Sequence, residues 1–157
     1  MLGLGNPILS DDGVGIHVVR LVAARAAQHA TRPRVEVAEA SVGGLRLLEV
    51  LAGFDRVIIV DAIQTPGGRP GEVHRLGVGD LWTSLHADST HDLSLRGALT
   101  LGRELGLPLP ADEAITILAI EVEDVLTFGE ACTPHVQAAI PSIVQAVVDE
   151  LQTTDDR

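Results

Sequence analysis

The sequence has no lysine, no tyrosine, a single cysteine and only three aromatic residues, Phe54, Trp82 and Phe128. Its eleven basic residues are all arginine, and they face 22 acidic ones, for a formal net charge of −11. A field of that sign repels phosphate backbones and anionic membrane surfaces, and no basic run or aromatic cluster opposes it. Neither nucleic acid nor membrane is an expected partner. With Cys132 alone, an internal disulfide and any cysteine-cluster metal site are excluded. No apolar stretch reaches the roughly 18 residues that suggest a membrane span. No signal peptide precedes the first glycine-rich segment, so the cytoplasm is the expected compartment; a monomer is the expected state. Scarce aromatics leave the core to Leu, Val, Ile and Ala, and a 46% hydrophobic share suffices to build one. A length of 157 residues fits one domain.

Residues 1–4 read as a strand followed by a turn at Gly3 and Gly5. A strand of about five residues would be usual, so either this one is short or the protein starts upstream of Met1. Ser10-Asp11-Asp12 suits a helix N-terminus, and the apolar periodicity of Val14, Val18, Leu21 and Val22 extends that helix to about residue 29. Alternation predicts a strand over 34–40 and periodicity a short helix over 45–51. Val57-Ile58-Ile59-Val60, closed by Asp61, predicts a central parallel strand buried on both faces. A strand over 72–76, a polar loop over 82–92, a helix over 93–105, a strand over 114–120 and a helix over 134–151 complete the order. Residues 152–157 read as a polar tail. This alternation implies a three-layer α/β/α sandwich with a mostly parallel sheet of about five strands, forming a single domain over 1–151.

In open parallel sheets, ligands gather outside the carboxyl ends of the strands. Asp12 follows the first strand, Asp61 ends the central apolar run, and His91 lies in the polar loop before the helix at Leu93. Two carboxylates and an imidazole suit one zinc, nickel, iron or manganese ion with open positions left over. Each residue also has a plainer reading. Asp12 complements a helix dipole, Asp61 holds a turn, and His91 is a loop histidine. Asp11 reads as a helix N-cap, and Cys132 as a small buried residue whose nearest candidate base is His135. His74 and His86 read as exposed or packed histidines. No H-E-x-x-H or G-x-S-x-G occurs, and Gly3-x-Gly5 lacks the third glycine of a dinucleotide fingerprint.

The run Gly3-Leu4-Gly5-Asn6-Pro7-Ile8-Leu9-Ser10-Asp11-Asp12-Gly13-Val14-Gly15 resembles the N-terminal signature of the endopeptidases that mature the large subunit of nickel–iron hydrogenases. Val60-Asp61-Ala62, Ser89-Thr90-His91-Asp92-Leu93 and Cys132-Thr133-Pro134 match further segments of that family, in family order and over nearly the whole chain. The resemblance implies a maturation-peptidase-like α/β domain that removes a C-terminal extension from a hydrogenase large-subunit precursor. It implies Asp12, Asp61 and His91 as metal contacts, with Asp12 and Asp61 as the catalytic carboxylates. The metal would be nickel, already carried by the precursor. Two departures stand out. Position 12 is Asp where Glu is also common. The family's acidic turn after strand two appears as Glu39-Ala40-Ser41-Val42-Gly43-Gly44, which makes Glu39 a candidate substrate contact. Two other functions compete: a checkpoint that senses nickel loading and binds the precursor without cutting, and a peptidyl-tRNA hydrolase, whose family also opens with a G-L-G-N-P-like stretch. The latter family continues into a tyrosine-containing segment that this tyrosine-free chain lacks.

Overall fold

The computed structural model describes residues 1–28, 35–41, 45–82 and 90–153. Five strands form one sheet: β1 (Leu2–Leu4), β2 (Ala38–Ala40), β3 (Val57–Ile63), β4 (Val73–Gly77) and β5 (Ile115–Glu121). Among the described residues four α-helices accompany them: α1 (Val14–Gln28), α2 (Leu45–Leu51), α3 (Thr90–Glu104) and α4 (Pro134–Thr153). The spatial order is β2-β1-β3-β5-β4, with β4 antiparallel to β5 and every other pair parallel.

Alternation along β3 and β5 divides the apolar residues between two cores. Ile58, Val60, Leu118 and Ile120 meet Val14, Val18 and Val22 of α1 and Val136, Ile140, Ile143 and Val147 of α4. Val57, Ile59, Ile63, Ile115, Ile117 and Ala119 meet Leu47, Leu48 and Leu51 of α2 and Leu95, Ala98 and Leu99 of α3. This is the expected three-layer architecture, and β3 is buried over Val57–Val60 as the unbroken β-branched run requires.

Several boundaries differ from the sequence expectation. β2 spans three residues because β1, its only partner among the described residues, offers three. Val35 and Val37, whose alternation suggested a longer strand, lie outside that ladder, and residue 34 lies outside the described residues. α3 begins at Thr90, so His91 stands in its first turn and not in a loop. The acidic residue at position 92 suits a first helical turn, which the loop reading overlooked. Residues 83–89, with His86 among them, lie outside the described residues. A 3-10 turn at Val78–Trp82 precedes them. α4 runs two residues past 151, to Thr153.

An ionic cluster also ties the layers together. The buried Glu150 carboxylate on α4 accepts two hydrogen bonds from Arg75 of β4, at 2.7 and 2.9 Å, and one each from Arg56 and Thr116 at 3.2 Å. The Arg75 hydrogen bonds hold the Glu150 carboxyl below the usual carboxylate range. This cluster lies toward the amino end of the sheet, beside Arg56 ahead of β3 and the Gly77–Thr116 pair.

Candidate functional site

The chain leaves β1 through α1 to reach β2 on one side, then returns through α2 to β3 on the other. The sheet therefore reverses direction between β1 and β3, and the crevice outside their carboxyl ends is the usual ligand position in such folds. Asp12 and Asp61 border that crevice. β1 and β3 pair Gly3 with Val60, so Asp61 lies one residue further toward the carboxyl end.

Glycines allow the first helix to sit directly on these strand ends. A Cβ on Gly15 would run into the carbonyl oxygens of Leu4 and Val60. Gly5 adopts φ 125°, and a Cβ there would collide with the Asp12 carbonyl. The turn so closed brings the Asn6 backbone N–H to Asp12, donating to Oδ2 at 2.7 Å. Asp12 itself occupies a 3-10 turn, Ser10–Gly13, that precedes α1. Ser10 has φ 33°, a left-handed value for a non-glycine residue, and it is held there by donation from its N–H to the Gly129 carbonyl at 2.8 Å. Such a conformation costs on the order of 1–3 kcal/mol and persists only where the surroundings enforce it.

Asp11 is not a helix N-cap. It is fully buried, and its carboxylate accepts backbone N–H bonds from Glu123 at 3.2 Å, Asp124 at 3.1 Å and Thr133 at 2.7 Å. The Thr133 hydroxyl lies 3.1 and 2.9 Å from its two oxygens. The acidic pair thus divides its labour. Asp11 clamps the loop after β5 and the start of α4, and the clamp presents Asp12 at the crevice. Cys132 beside it is buried, and burial together with the Asp11 charge pushes its thiol up to about 11. A thiol held so far above neutrality is a poor nucleophile.

Asp61 is half-buried, and its Oδ1 accepts the Ala62 N–H at 2.9 Å. Alternation places it on the α2/α3 face with Ile59 and Ile63. The first turn of α3 comes to the same edge. Arg103, at the far end of that helix, donates to the Pro110 carbonyl at 2.8 Å and to Asp112 at 2.6 Å, just ahead of β5. Fifteen residues at 1.5 Å each carry the helix about 22 Å back toward the carboxyl edge. His91 is therefore on that side by backbone placement; its side chain lies outside the described residues. Among the described residues, no group of three or more His, Cys, Asp or Glu side chains stands close enough to hold a metal ion.

Glu39 on β2 is already engaged: Arg20 of α1 donates to both its oxygens, at 2.8 and 2.7 Å. That hydrogen bonding, together with the Arg20 charge, lowers the Glu39 pKa. His17 contributes a buried Nε2 without a hydrogen-bond partner.

One cluster escaped the sequence reading. Glu121 ends β5 with its carboxylate buried. It accepts the Thr65 N–H at 2.5 Å and the Thr65 hydroxyl at 2.9 Å, and His74 Nε2 stands 3.5 Å from Oε2. Asp61 and His74 both lie opposite Ala119 in the sheet register, so they flank it on one face. The signal that would have found Glu121 is the one that singled out Asp61: a carboxylate closing a buried apolar strand.

Known proteins resemble the chain in sequence and fold. The chain is 29% identical over 155 residues to the hydrogenase 2 maturation protease of Escherichia coli K12, across 97% of this chain and 89% of that one. It is 25% identical to the hydrogenase expression/formation protein HupD of Rhizobium leguminosarum bv. viciae, across 98% of this chain and 73% of that one. The solved hydrogenase maturating endopeptidase HybD of E. coli superposes with a TM-score of 0.75 at 28% identity, covering 98% of this chain and 91% of its own. The family model for hydrogenase maturation protease matches residues 16–150; the chain belongs to the hydrogenase maturation protease family.

Proposed function

We propose that this protein is an endopeptidase that removes the C-terminal extension of a nickel-loaded nickel–iron hydrogenase large-subunit precursor. The observation that carries this reading is the placement of Asp12 and Asp61 at the β1/β3 crevice of a maturation-protease fold. The family relationship names the process, and the carboxylates supply the chemistry. Under this reading the protein works in the cytoplasm, as a monomeric single domain.

Nickel enters as part of the substrate, where its positive charge polarises a nearby carbonyl. Asp12, Asp61 and His91 are the contacts proposed for it, two hard oxygen donors and one imidazole nitrogen. An incomplete ligand set suits brief capture of an ion that the precursor still holds, whereas a closed structural site normally supplies four ligands. A carboxylate oxygen of Asp12 or Asp61 not turned to the nickel takes a proton from water. The water oxygen then adds to the scissile carbonyl carbon, and the departing amine leaves with a proton. Glu39 is proposed to meet a basic group of the precursor. Its pair with Arg20 is exposed, and an exposed ion pair exchanges partners at a cost of about 0–1 kcal/mol.

The test is mass spectrometry of the host's hydrogenase large subunit with and without this gene. Deletion should leave the subunit at the mass of the extended form. A fully mature mass in the deletion strain would remove the assignment. Purified protein that binds the nickel-loaded precursor tightly yet never cuts it would make it a checkpoint instead.

A further inference from the structure

We infer that Ile8, Leu126 and Phe128 form a docking rim beside the candidate site, and that its occupant is an apolar stretch of the precursor flanked by basic side chains. The inference rests on the function proposed above. These three side chains are 51%, 82% and 79% exposed. They belong to two loops that leave the carboxyl edge of the sheet, one after β1 and one after β5. Leu9 and Gly129 form a parallel bridge that joins the loops. Its hydrogen bonds run from Gly129 N–H to the Ile8 carbonyl at 3.0 Å and from Ser10 N–H to the Gly129 carbonyl at 2.8 Å. Asp12 follows within the same turn, with its own N–H donating to the Leu9 carbonyl at 2.8 Å. A ligand seated on the rim is therefore delivered next to Asp12.

The exposure is enforced by local structure. Asp124 Oδ1 accepts the N–H groups of both Leu126 and Thr127 at 3.0 Å, and Asp11 clamps the N–H groups of Glu123 and Asp124. These bonds fix the backbone that carries Leu126 and Phe128. Apolar side chains displayed on a fixed backbone and bordered by polar groups are the arrangement expected of a binding surface. They also lose little freedom on binding, which favours affinity.

Charge narrows the occupant. From residue 104 to residue 156 the sequence contains no arginine or lysine. Glu123, Asp124 and Glu130 border the rim, and hydrogen bonding holds both Glu123 and Asp124 below the usual carboxylate range. An acidic frame around an apolar centre favours a segment with arginine or lysine on either side of its apolar residues. A second exposed apolar group, around Leu105, lies at the opposite end of α3 from the site and serves as an internal control.

The experiment measures binding of the nickel-loaded precursor, purified from a host lacking this gene, alongside its cleavage. The proteins compared are wild type, Leu126→Ser/Phe128→Ser, Leu105→Ser and Glu123→Gln/Glu130→Gln, with folding of each checked by circular dichroism. The rim variant should raise Kd about tenfold or more, the loss expected of a central aromatic anchor. Its cleavage rate at precursor concentrations well below Kd should fall by the same factor. Leu105→Ser should bind as wild type does. The charge variant should flatten the dependence of Kd on salt. Wild-type affinity in the rim variant, with cleavage intact in the wild type, overturns the docking rim and leaves the peptidase standing. Tight, rim-dependent binding without cleavage supports the rim and overturns the peptidase. Concentration-dependent self-association that the rim variant abolishes, with precursor binding unchanged, would assign the surface to a second copy of this chain and overturn the inference.

Discussion

Replacing Asp11 with asparagine should destabilise the fold by about 2–4 kcal/mol, although the change removes no atom from the core. Asp11 is fully buried, and its two oxygens accept from three backbone N–H groups and one hydroxyl. Asparagine turns one oxygen into an NH2 donor. If that group faces Glu123 and Asp124, two N–H donors lose their acceptor; if the amide flips, Thr133 loses its own. The flip strands fewer donors: the one left unpaired costs about 1–3 kcal/mol, and the remaining bonds, no longer made to a charged acceptor, weaken by roughly 1 kcal/mol more, which gives the range stated. Against a total stability of about 5–15 kcal/mol this is a large fraction. The melting temperature should fall by roughly 5–15 °C for a chain of this length. Urea denaturation is the assay: the midpoint should drop with an unchanged slope, since the surface exposed on unfolding is the same. A midpoint corresponding to less than about 0.5 kcal/mol of change, the range of an ordinary surface substitution, would refute the clamp.

Gly15→Ala places a methyl group against the carbonyl oxygens of Leu4 and Val60 and should cost about 1–3 kcal/mol in a urea melt, as overpacking does; unchanged stability would mean that α1 is not seated on these strand ends. Glu150 has a lowered folded-state pKa, so its contribution is fully present above its unfolded pKa and is lost as pH falls through the folded value. Urea midpoints from about pH 7 down to about pH 3 should therefore fall more steeply for wild type than for Glu150→Gln, and parallel curves would remove the Arg75–Glu150 pair from the acid limb. Asp61→Asn should lower precursor processing by at least about 100-fold while the thermal melt stays near wild type, because the β3 strand does not need that charge to form. Unchanged processing at matched expression would take Asp61 out of the site, and a collapsed melt would make its role structural.

The apolar patterns made the sheet and its two helical layers legible. Val57–Val60 could be buried on both faces only at the sheet's centre, and the 3.6-residue periodicity of Val14, Val18 and Val22 marked the face of α1 that meets it, whereas Leu21, read with them, is exposed. Strand direction was less legible. Nothing in 73–77 distinguishes an antiparallel edge strand from a parallel one, because that is set by how the chain returns to β5. Asp61 stands out in the sequence because a charge directly after an apolar strand is unusual, and Asp12 because it opens the first helix after β1. Glu121 carries the same mark but was hidden by reading its strand as ending at Ile120. Asp11 was misread because an acidic residue before a helix has a local explanation. Its real partners are more than 110 positions away, and no local pattern predicts a carboxylate meeting Glu123, Asp124 and Thr133. The rim of Leu126 and Phe128 depends likewise on the bridge between Leu9 and Gly129, which only the fold creates.

Cleavage governed by nickel in the substrate is read most directly from the intact mass of the precursor in two crossed incubations. In one, chelator-treated protein meets nickel-loaded precursor; in the other, nickel-soaked protein meets nickel-free precursor. The C-terminal extension should be lost in the first and retained in the second. The reverse pattern would mean that the metal belongs to the enzyme, and the substrate-metal mechanism at Asp12, Asp61 and His91 would be wrong.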